Sequence, residues 1–342
     1  MFFTKSRGLS SLLALIKGSN SFAKYGTCIQ LGDPGLSLRD DVDWGSFPSL
    51  RTPIRSSFEL VAPHARPSQG LAYLLTCLII FKMKRIHLFE FEDFSWFPEW
   101  LRRCMTRLIL VMHNLLGTSE KVADLLAKVL RKSESSTILD LCSGSGGPMP
   151  EVLQILRDKH DMKNISLILT DLYPDSKTAE IYNSQDKNNI NYLTTPVDAT
   201  KLDDQRSGIR TMIGSFHHMK PHEARKILTS VQETGEPLCV FEISDNSTPI
   251  GLWWIAFPTN FIMTFFITPM VRPMSWQQLV FTYIIPIIPF CFAWDGAVSN
   301  ARTYTLNDLD ELLSGIESNT YKWEKGTIEG KTKQIYLLGL PN

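Results

Sequence analysis

Short apolar runs alternate with amphipathic stretches from residue 118 to the C-terminus. Residues 118–132 place five apolar side chains on one face at helical spacing, after a threonine and a serine that can cap a helix. Amphipathic or polar helical stretches follow at 150–160, 176–188, 221–235 and 305–316. The short apolar runs predict strands at residues 137–141, 165–172, 190–200, 209–216 and 237–244, with a closing pair at 321–330 and 333–340.

This alternation predicts an α/β fold. Strands separated by helices need crossover connections, which are typical of a largely parallel sheet. The last two strands follow each other directly, with Gly330 near their turn, so we expect an antiparallel C-terminal hairpin. The predicted fold is therefore a Rossmann-like, seven-stranded, mostly parallel sheet. Ligands of such sheets bind at the carboxyl ends of the strands, and the polar residues expected there are Asp140, Asp171, Asp198, His217 and Glu242.

The N-terminal fifth of the chain has a different composition. Residues 1–32 contain four basic residues, five serines and no acid before Asp33, which is typical of an organellar transit peptide; a disordered basic terminus is the alternative. Residues 33–68 are rich in Pro, Arg, Asp and Ser without a clear period. We expect a poorly ordered arm or transit segment at 1–68, a helical segment at 69–117 and a ligand-binding domain at 118–342.

Charge and cysteine content exclude several classes of protein. Lys plus Arg equals Asp plus Glu at 35 each, and no basic run contains interleaved aromatic residues, so we expect no nucleic-acid partner. The six cysteines are far apart and form no C-x-x-C pair. This spacing favours reduced thiols over a disulfide framework or a zinc site, and it indicates an intracellular protein.

A long apolar insertion, which we expect to be helical, lies between the fifth predicted strand and the last predicted helix, at residues 246–304. Residues 247–271 and residues 273–294 form two runs without any charged residue, and only Arg272 lies between these runs. Each run approaches the length of a membrane span, but prolines interrupt both. Three interpretations stay open: a hydrophobic lid over a substrate pocket, a hairpin that dips into a membrane, and an oligomer interface. The first two are compatible if the substrate is a lipid.

The stretch "ILDLCSGSGGPMPEVL", residues 138–153, contains three glycines between a predicted strand and a predicted helix. Glycines in such a turn let the backbone approach a ligand closely. A phosphate-binding loop would need a lysine after the glycines, and none is present. A dinucleotide turn would need a third glycine where the chain has Met149, so that pattern is incomplete.

Four motifs in order resemble those of class I S-adenosylmethionine (SAM)-dependent methyltransferases. "LDLCSGSGGP" resembles their glycine turn, "LTDL" the acidic end of the second strand, "PVDAT" the loop after the third, and "GSFHHM" the loop after the fourth. The resemblance covers residues 118–342 apart from the insertion, and it implies SAM as the cofactor. The residues it assigns to the cofactor are Asp140, Cys142, Ser143, Gly144, Gly146, Asp171, Leu172, Asp198, Ala199 and Ser215.

In this resemblance Asp140 holds the SAM ammonium directly or through water. Asp171 accepts hydrogen bonds from the ribose hydroxyls. Asp198 accepts from the adenine amino group beside the Ala199 amide. Each aspartate also has a purely structural alternative, because aspartate commonly caps helices and forms turns.

The loop after the fourth strand carries the candidate catalytic residues, His217 and His218. It lacks the Asn/Asp-Pro-Pro-aromatic sequence of many base N-methyltransferases, which argues against that reaction. Either imidazole can remove a proton near neutral pH, and a structural pair is an equal alternative. A metal site at His217, His218 and His222 lacks an acidic partner at useful spacing, so no metal is expected.

These observations predict a SAM-dependent methyltransferase that acts on a small, hydrophobic or lipid-like acceptor. The candidate acceptor-binding residues are Glu242, Trp253, Trp254, Asp295 and Arg302, the last two forming a salt bridge in the alternative interpretation. We expect an intracellular, membrane-associated protein, mitochondrial if residues 1–32 are a transit peptide. A nicotinamide-dependent oxidoreductase and a non-catalytic, membrane-associated scaffold are the alternatives. The sequence does not indicate an oligomeric state.

Overall fold

The computed structural model of the chain describes residues 83–133, 135–184, 189–202 and 207–342. The predictions for residues 1–68 lie outside these ranges, as does the first part of the expected helical segment at 69–117. Residues 83–98 have little regular structure apart from a short 3₁₀-helix at Phe91–Asp93, and the first long helix of the described ranges begins at Glu99.

The described residues form one seven-stranded sheet. The strands are β1 Thr137–Asp140, β2 Ser166–Leu169, β3 Ile190–Tyr192, β4 Ile209–Ile213, β5 Leu238–Glu242, β6 Tyr321–Ile328 and β7 Gln334–Pro341. Their order in the sheet is β3-β2-β1-β4-β5-β7-β6. Strands β1 to β5 are parallel to one another, whereas β7 is antiparallel to both β5 and β6. The predicted α/β, mostly parallel sheet with an antiparallel C-terminal hairpin is confirmed.

Helices cover both faces of the sheet. Consecutive residues of β5 alternate between two cores. Cys239 and Phe241 pack with the helices at 118–130, 149–159 and 176–183, whereas Leu238 and Val240 pack with those at 221–234 and 306–313. Both faces are buried, which explains why the strands are short continuous apolar runs. The helices are α1 Glu99–Leu116, α2 Thr118–Leu130, α3 Met149–Lys159, α4 Ser176–Asn183, α5 Pro221–Thr234, α6 Ala256–Ile267, α7 Trp276–Leu279, α8 Ile287–Arg302 and α9 Leu306–Leu313.

The insertion is helical, as predicted. It contains a 3₁₀-helix at Ile250–Ile255, then α6, then α7 with a π-helical turn at Val280–Ile284, and finally α8. A third core joins it to α1, since Leu101, Met105 and Leu108 pack with Ile288 and other buried insertion residues. The helix at Glu99–Leu116 and the insertion therefore pack together beside the carboxyl ends of β4 and β5.

Much of the insertion's apolar surface faces outward. Twelve large hydrophobic residues between Leu252 and Phe290 are exposed, including Phe266 at 75% and Ile284 at 74%. Within the described residues, the helical stretch Gly251–Met270 is long and apolar enough to cross a membrane. The segments Trp276–Ile284 and Ile287–Arg302 meet the same criterion only as one span, bent by 84°.

Candidate active site

The glycine turn, residues 141–148, connects β1 to α3 through backbone conformations that favour glycine. Gly144, Gly146 and Gly147 all have positive φ values, of 53°, 92° and 49°. Ser143 fixes the start of this turn, because its hydroxyl donates to the Asp140 carbonyl and accepts from the Thr170 amide. At Gly146 any side chain would also collide with Tyr182, whose hydroxyl would lie 2.8 Å from an added Cβ.

Asp171 lies directly against this turn. Its Oδ2 atom accepts from the Gly144 amide at 2.8 Å, and its Oδ1 atom accepts from the Tyr173 amide at 2.8 Å. A carboxylate has further lone pairs beyond these two bonds, so it can still accept from a ligand. The neighbouring Leu172 is 45% exposed. The structure thus brings together three of the predicted cofactor residues at one edge of the sheet.

Asp140 is less accessible than the sequence suggested. It is buried, and its Oδ1 atom accepts from the Thr211 hydroxyl of β4 at 2.6 Å. Burial raises the pKa of Asp140 to about 7, despite hydrogen bonds that favour the charged form. Burial likewise raises the pKa of the Cys142 thiol. Direct contact between Asp140 and a ligand stays a prediction, and mediation by water fits its burial better.

Asp198 forms a local turn. Its Oδ1 atom accepts from both the amide and the hydroxyl of Thr200, and Lys201 lies 3.1 Å from Oδ2. The structural alternative for this aspartate is therefore realised, and Ala199 beside it is buried. The loop still reaches the predicted site, because the Val197 amide donates to the Asp171 carbonyl.

His217 lies after β4 and is held in place by a buried carboxylate. Glu242, at the end of β5, accepts from the His217 backbone amide through Oε1 and contacts Nδ1 through Oε2, both at 2.9 Å. The Nε2 atom of His217 is buried and has no hydrogen-bond partner among the described residues. Glu242 thus orients His217, and its predicted contact with an acceptor stays a prediction. Ser215 nearby is also buried, and its hydroxyl lacks a partner in the described residues.

His218 belongs to a group of charged residues. Its Nδ1 atom lies 3.1 Å from Asp93, and its Nε2 atom lies 3.7 Å from Glu90. Burial alone would lower the pKa of His218, but the charges of Glu90 and Asp93 raise it to about 9. An imidazole that is already protonated is a poor proton acceptor, so the structure favours His217 over His218 as a base.

Arg302 completes this charged group. It is buried and lies 3.0 Å from Glu90 and 2.6 Å from Asp93. Asp295 accepts from the backbone amides of Phe91 and Glu92, at 2.7 and 3.3 Å. The alternative in which Asp295 and Arg302 pair with each other is therefore wrong, because each is bound to the segment before α1.

A cavity of about 170 Å³ lies between the ends of β4 and β5, α1 and α8, and we call it the β4–β5 cavity. Of the predicted site residues, it is lined by His217, His218, Glu242 and Asp295. Apolar side chains from α1, β5 and α8 form other parts of its wall; they are Met105, Ile109, Ile243 and Phe292.

Trp253 and Trp254 do not line this cavity, and their contact with an acceptor stays a prediction. Trp254 is 54% exposed, and its indole nitrogen donates to the Gly251 carbonyl. Trp253 packs edge-on against Trp294. Both lie in the 3₁₀-helix that begins the insertion, whereas α8 at its end lines the cavity.

The cavity also contains residues that sequence reasoning missed: Glu90, Glu92 and His113. Burial and the charge of Glu90 raise the pKa of Glu92 to about 7. Burial lowers the pKa of His113 to about 4, so this imidazole is neutral at physiological pH. The only sequence signal was the run "LFEFED" (residues 88–93), in which acids alternate with apolar residues before α1.

The sequence argument against a metal rested on the lack of an acidic partner for the histidines. Glu90 supplies such a partner from a distant segment. His222, the third histidine of the sequence pattern, is instead 57% exposed at its side chain and lies 3.9 Å from Glu223. It lines a separate, shallow groove of about 550 Å³ beside α5, which contains none of the predicted site residues.

Comparisons with known proteins yield structural likenesses alone. No protein-family model and no curated protein matches the chain. The mitomycin 7-O-methyltransferase MmcR is 12% identical with a TM-score of 0.43, over 81% of this chain and 69% of that one. The small RNA methyltransferase HEN1 is 13% identical with a TM-score of 0.40, over 66% of this chain and 25% of that one, so this chain spans about a quarter of its length.

The solved structure of a protein from another enzyme class is similar to this chain to the same extent. A putative zinc-dependent alcohol dehydrogenase from Rhodobacter sphaeroides is 10% identical with a TM-score of 0.40, over 70% of this chain and 98% of that one. Likenesses this distant do not distinguish methyl transfer from hydride transfer. The functional argument therefore rests on the residues of the site.

Proposed function

We propose that this protein is a SAM-dependent methyltransferase whose acceptor is a hydrophobic small molecule or lipid with a hydroxyl group. The observation that carries the proposal is the contact between Gly144 and Asp171, 2.8 Å long, which joins the glycine turn of β1 to the acid after β2. Both lie at the carboxyl edge of the sheet, where ligands of such folds bind. SAM supplies an electrophilic methyl group when bound.

The glycine turn and Asp171 suit the two ends of this cofactor. Gly144 and Gly146, which have positive φ and no side chain, permit close approach of the methionyl part to the backbone. The remaining lone pairs of the Asp171 carboxylate accept from ribose hydroxyls. Asp140 contributes through water, because its own carboxyl group is bound to Thr211.

His217 is the residue that we assign to the acceptor. Glu242 contacts its Nδ1 atom and thereby orients the ring, and no described residue bonds to the buried Nε2 atom. In this tautomer Nδ1 carries a proton toward the carboxylate and Nε2 accepts one from the acceptor hydroxyl as the methyl group is transferred. Alignment of the acceptor oxygen with the methyl group supplies most of the remaining rate enhancement.

The cavity size favours an acceptor that is only partly enclosed. A volume of about 170 Å³ is close to the roughly 150 Å³ that accommodates a single benzene ring. Ligand pockets that enclose a whole drug-sized molecule are larger, at about 300–1,000 Å³. We therefore propose that the reacting head group enters the β4–β5 cavity and that an apolar tail extends along the insertion.

The outer surface of the insertion supports a bilayer as the source of this acceptor. Phe266, Ile284 and Trp276 are 75%, 74% and 65% exposed on helices that carry almost no charge. Monomeric soluble proteins rarely expose apolar patches of this kind without a function. We propose that α6, α7 and the start of α8 lie in the membrane interface, while the end of α8 lines the cavity.

The test is to incubate the full chain with lipid and small-molecule extracts and SAM that carries a labelled methyl group. We expect mass spectrometry to find the label in an apolar product, on oxygen, and to find none with the His217→Ala variant. Label on a water-soluble amine or nucleic acid would overturn the proposed acceptor class. Absence of SAM binding would overturn the proposed reaction.

A further inference from the structure

Two imidazoles and one carboxyl group converge in the β4–β5 cavity. Side-chain atoms of Glu90, His217 and His218 that can bind a metal all lie within 4.8 Å of one another. Glu90 and His217 are buried, and His218 is partly buried. The first residue precedes α1 and the other two follow β4, so the fold itself assembles the group.

Both imidazoles have the pattern of hydrogen bonds that is typical of metal-binding histidines. Carboxylates hold the Nδ1 atoms, Glu242 at 2.9 Å for His217 and Asp93 at 3.1 Å for His218. Metal-binding histidines almost always have their second ring nitrogen fixed in this way. The Nε2 atom of His217 is left buried and without a partner among the described residues, and the Nε2 atom of His218 faces Glu90 at 3.7 Å.

Carboxyl groups outnumber basic groups around the cavity. Five carboxyl groups lie in this region: Glu90, Glu92, Asp93, Glu242 and Asp295. Arg302 pairs with two of them, whereas the nearby Arg85 directs its guanidinium to the backbone carbonyls of His217, Met219 and Arg302. The three carboxyl groups that contact the imidazoles are Glu90, Asp93 and Glu242. An ion between the two imidazoles would therefore lie among carboxylates that can balance its charge.

We propose that Glu90, His217 and His218 bind one divalent transition-metal ion. Two imidazole nitrogens with one carboxylate suit ions such as zinc, manganese or iron(II), whereas magnesium and calcium prefer oxygen ligands. Binding releases the His218 proton to solvent. Binding of the ion does not depend on the proposed function. The role of the ion does, because the ion would bind the acceptor oxygen and lower the pKa of the acceptor hydroxyl. With the ion bound, the Nε2 atom of His217 is a ligand, and the acceptor hydroxyl would lose its proton to solvent instead of to that atom.

The test is a titration of the full chain with Co²⁺, followed by calorimetry and by the absorption bands of the bound ion. We expect one site per chain, and no comparable binding of Mg²⁺. Glu90→Gln, His217→Ala and His218→Ala should each weaken Co²⁺ binding by about 100-fold or more, and Glu242→Gln by about tenfold. His222→Ala is the matched control, because this exposed histidine belongs to the sequence pattern but not to the cluster.

Thermal unfolding of each variant establishes that the fold is kept. Absence of Co²⁺ and Zn²⁺ binding by the wild-type chain would overturn the proposal, as would binding that survives in all three ligand variants. Loss of affinity in His222→Ala would contradict this ligand set. SAM affinity measured on the same preparation separates the two proposals: SAM binding without metal binding sinks only the metal site, and the reverse sinks only the methyltransferase.

Discussion

The two edges of the proposed active site are built in different ways. At the cofactor edge, Gly144 contacts Asp171 across only 27 residues of sequence, through one crossover unit of the fold. At the acceptor edge, His218 contacts Asp93 across 125 residues, and Phe91 contacts Asp295 across 204. The first edge consists of turns after consecutive strands. The second joins the segment before α1, the loop after β4 and the last helix of the insertion.

This difference indicates which features belong to the sheet and which to the particular reaction. Any crossover fold places the turns after β1 and β2 side by side, so a motif in each suffices to predict their contact. The acceptor edge depends on how the insertion packs against α1, through a core of its own. We infer that the cofactor edge determines the reaction class and that the acceptor edge determines the substrate.

The largest expected effect is at His217. The His217→Ala variant should lower the rate of methyl transfer by about 100- to 10,000-fold, because it removes the group that accepts the acceptor proton. SAM affinity, measured by calorimetry, should not change, because the cofactor edge is intact. His222→Ala serves as the control and should keep full activity. Equal loss of SAM binding and of rate in His217→Ala would show that the two edges are not separable.

The next largest effect concerns the exposed face of the insertion. Replacing Trp254, Phe266 and Ile284 with glutamine should lower the partition coefficient onto phospholipid vesicles, measured by flotation, by about 100-fold or more. The reason is that burial of each such side chain is worth about 1.5–3 kcal/mol. The apparent KM for a membrane-borne acceptor should rise in parallel. The matched control is Ile181→Gln, an exposed residue on α4, at the other edge. Unchanged flotation of the triple variant would leave a lid or an oligomer interface as the role of this face.

A smaller effect is expected at Asp171. Asp171→Ala should weaken SAM binding by about 1–3 kcal/mol, because ribose hydroxyls lose a charged acceptor. Asp198→Ala should weaken it less, since that carboxylate is already bound within its own turn. Calorimetry should compare the loss of SAM affinity in the two variants. A larger loss at Asp198 would show that its carboxylate leaves Thr200 when the cofactor binds.

The smallest expected effect is a pH dependence at Asp140. Burial raises the pKa of Asp140 to about 7 in the folded protein, from 3.8, so the native state holds this proton where the unfolded state has lost it. Between pH 5 and pH 7 the free energy of unfolding of the wild type should therefore fall by about 2 kcal/mol more than that of Asp140→Asn. Urea unfolding at the two pH values measures this. Parallel curves would mean that Asp140 is ionised in the folded state.

The sequence was sufficient for the sheet and for much of the cofactor edge. Short apolar strands and amphipathic helices depend on local patterns, and the approach of Asp171 to Gly144 follows from the order of the strands. His217 was identified from its place after β4. The sequence does not predict the partners of Glu242 and Arg302 within the protein, and it misses Glu90 and His113, because these partners come from segments far away in the chain. No local pattern records such contacts, and a charged residue within an apolar segment does not indicate which partner neutralises it.

Calorimetric titration of the full chain with SAM, and separately with NAD, tests the central claim most directly. The glycine turn and Asp171 occur in this structure without the third glycine of a dinucleotide site, whose position is taken by the buried Met149. We predict that SAM binds with a stoichiometry of one per chain, that Asp171→Ala weakens this binding, and that NAD does not bind. Binding of NAD together with no detectable binding of SAM would contradict the account.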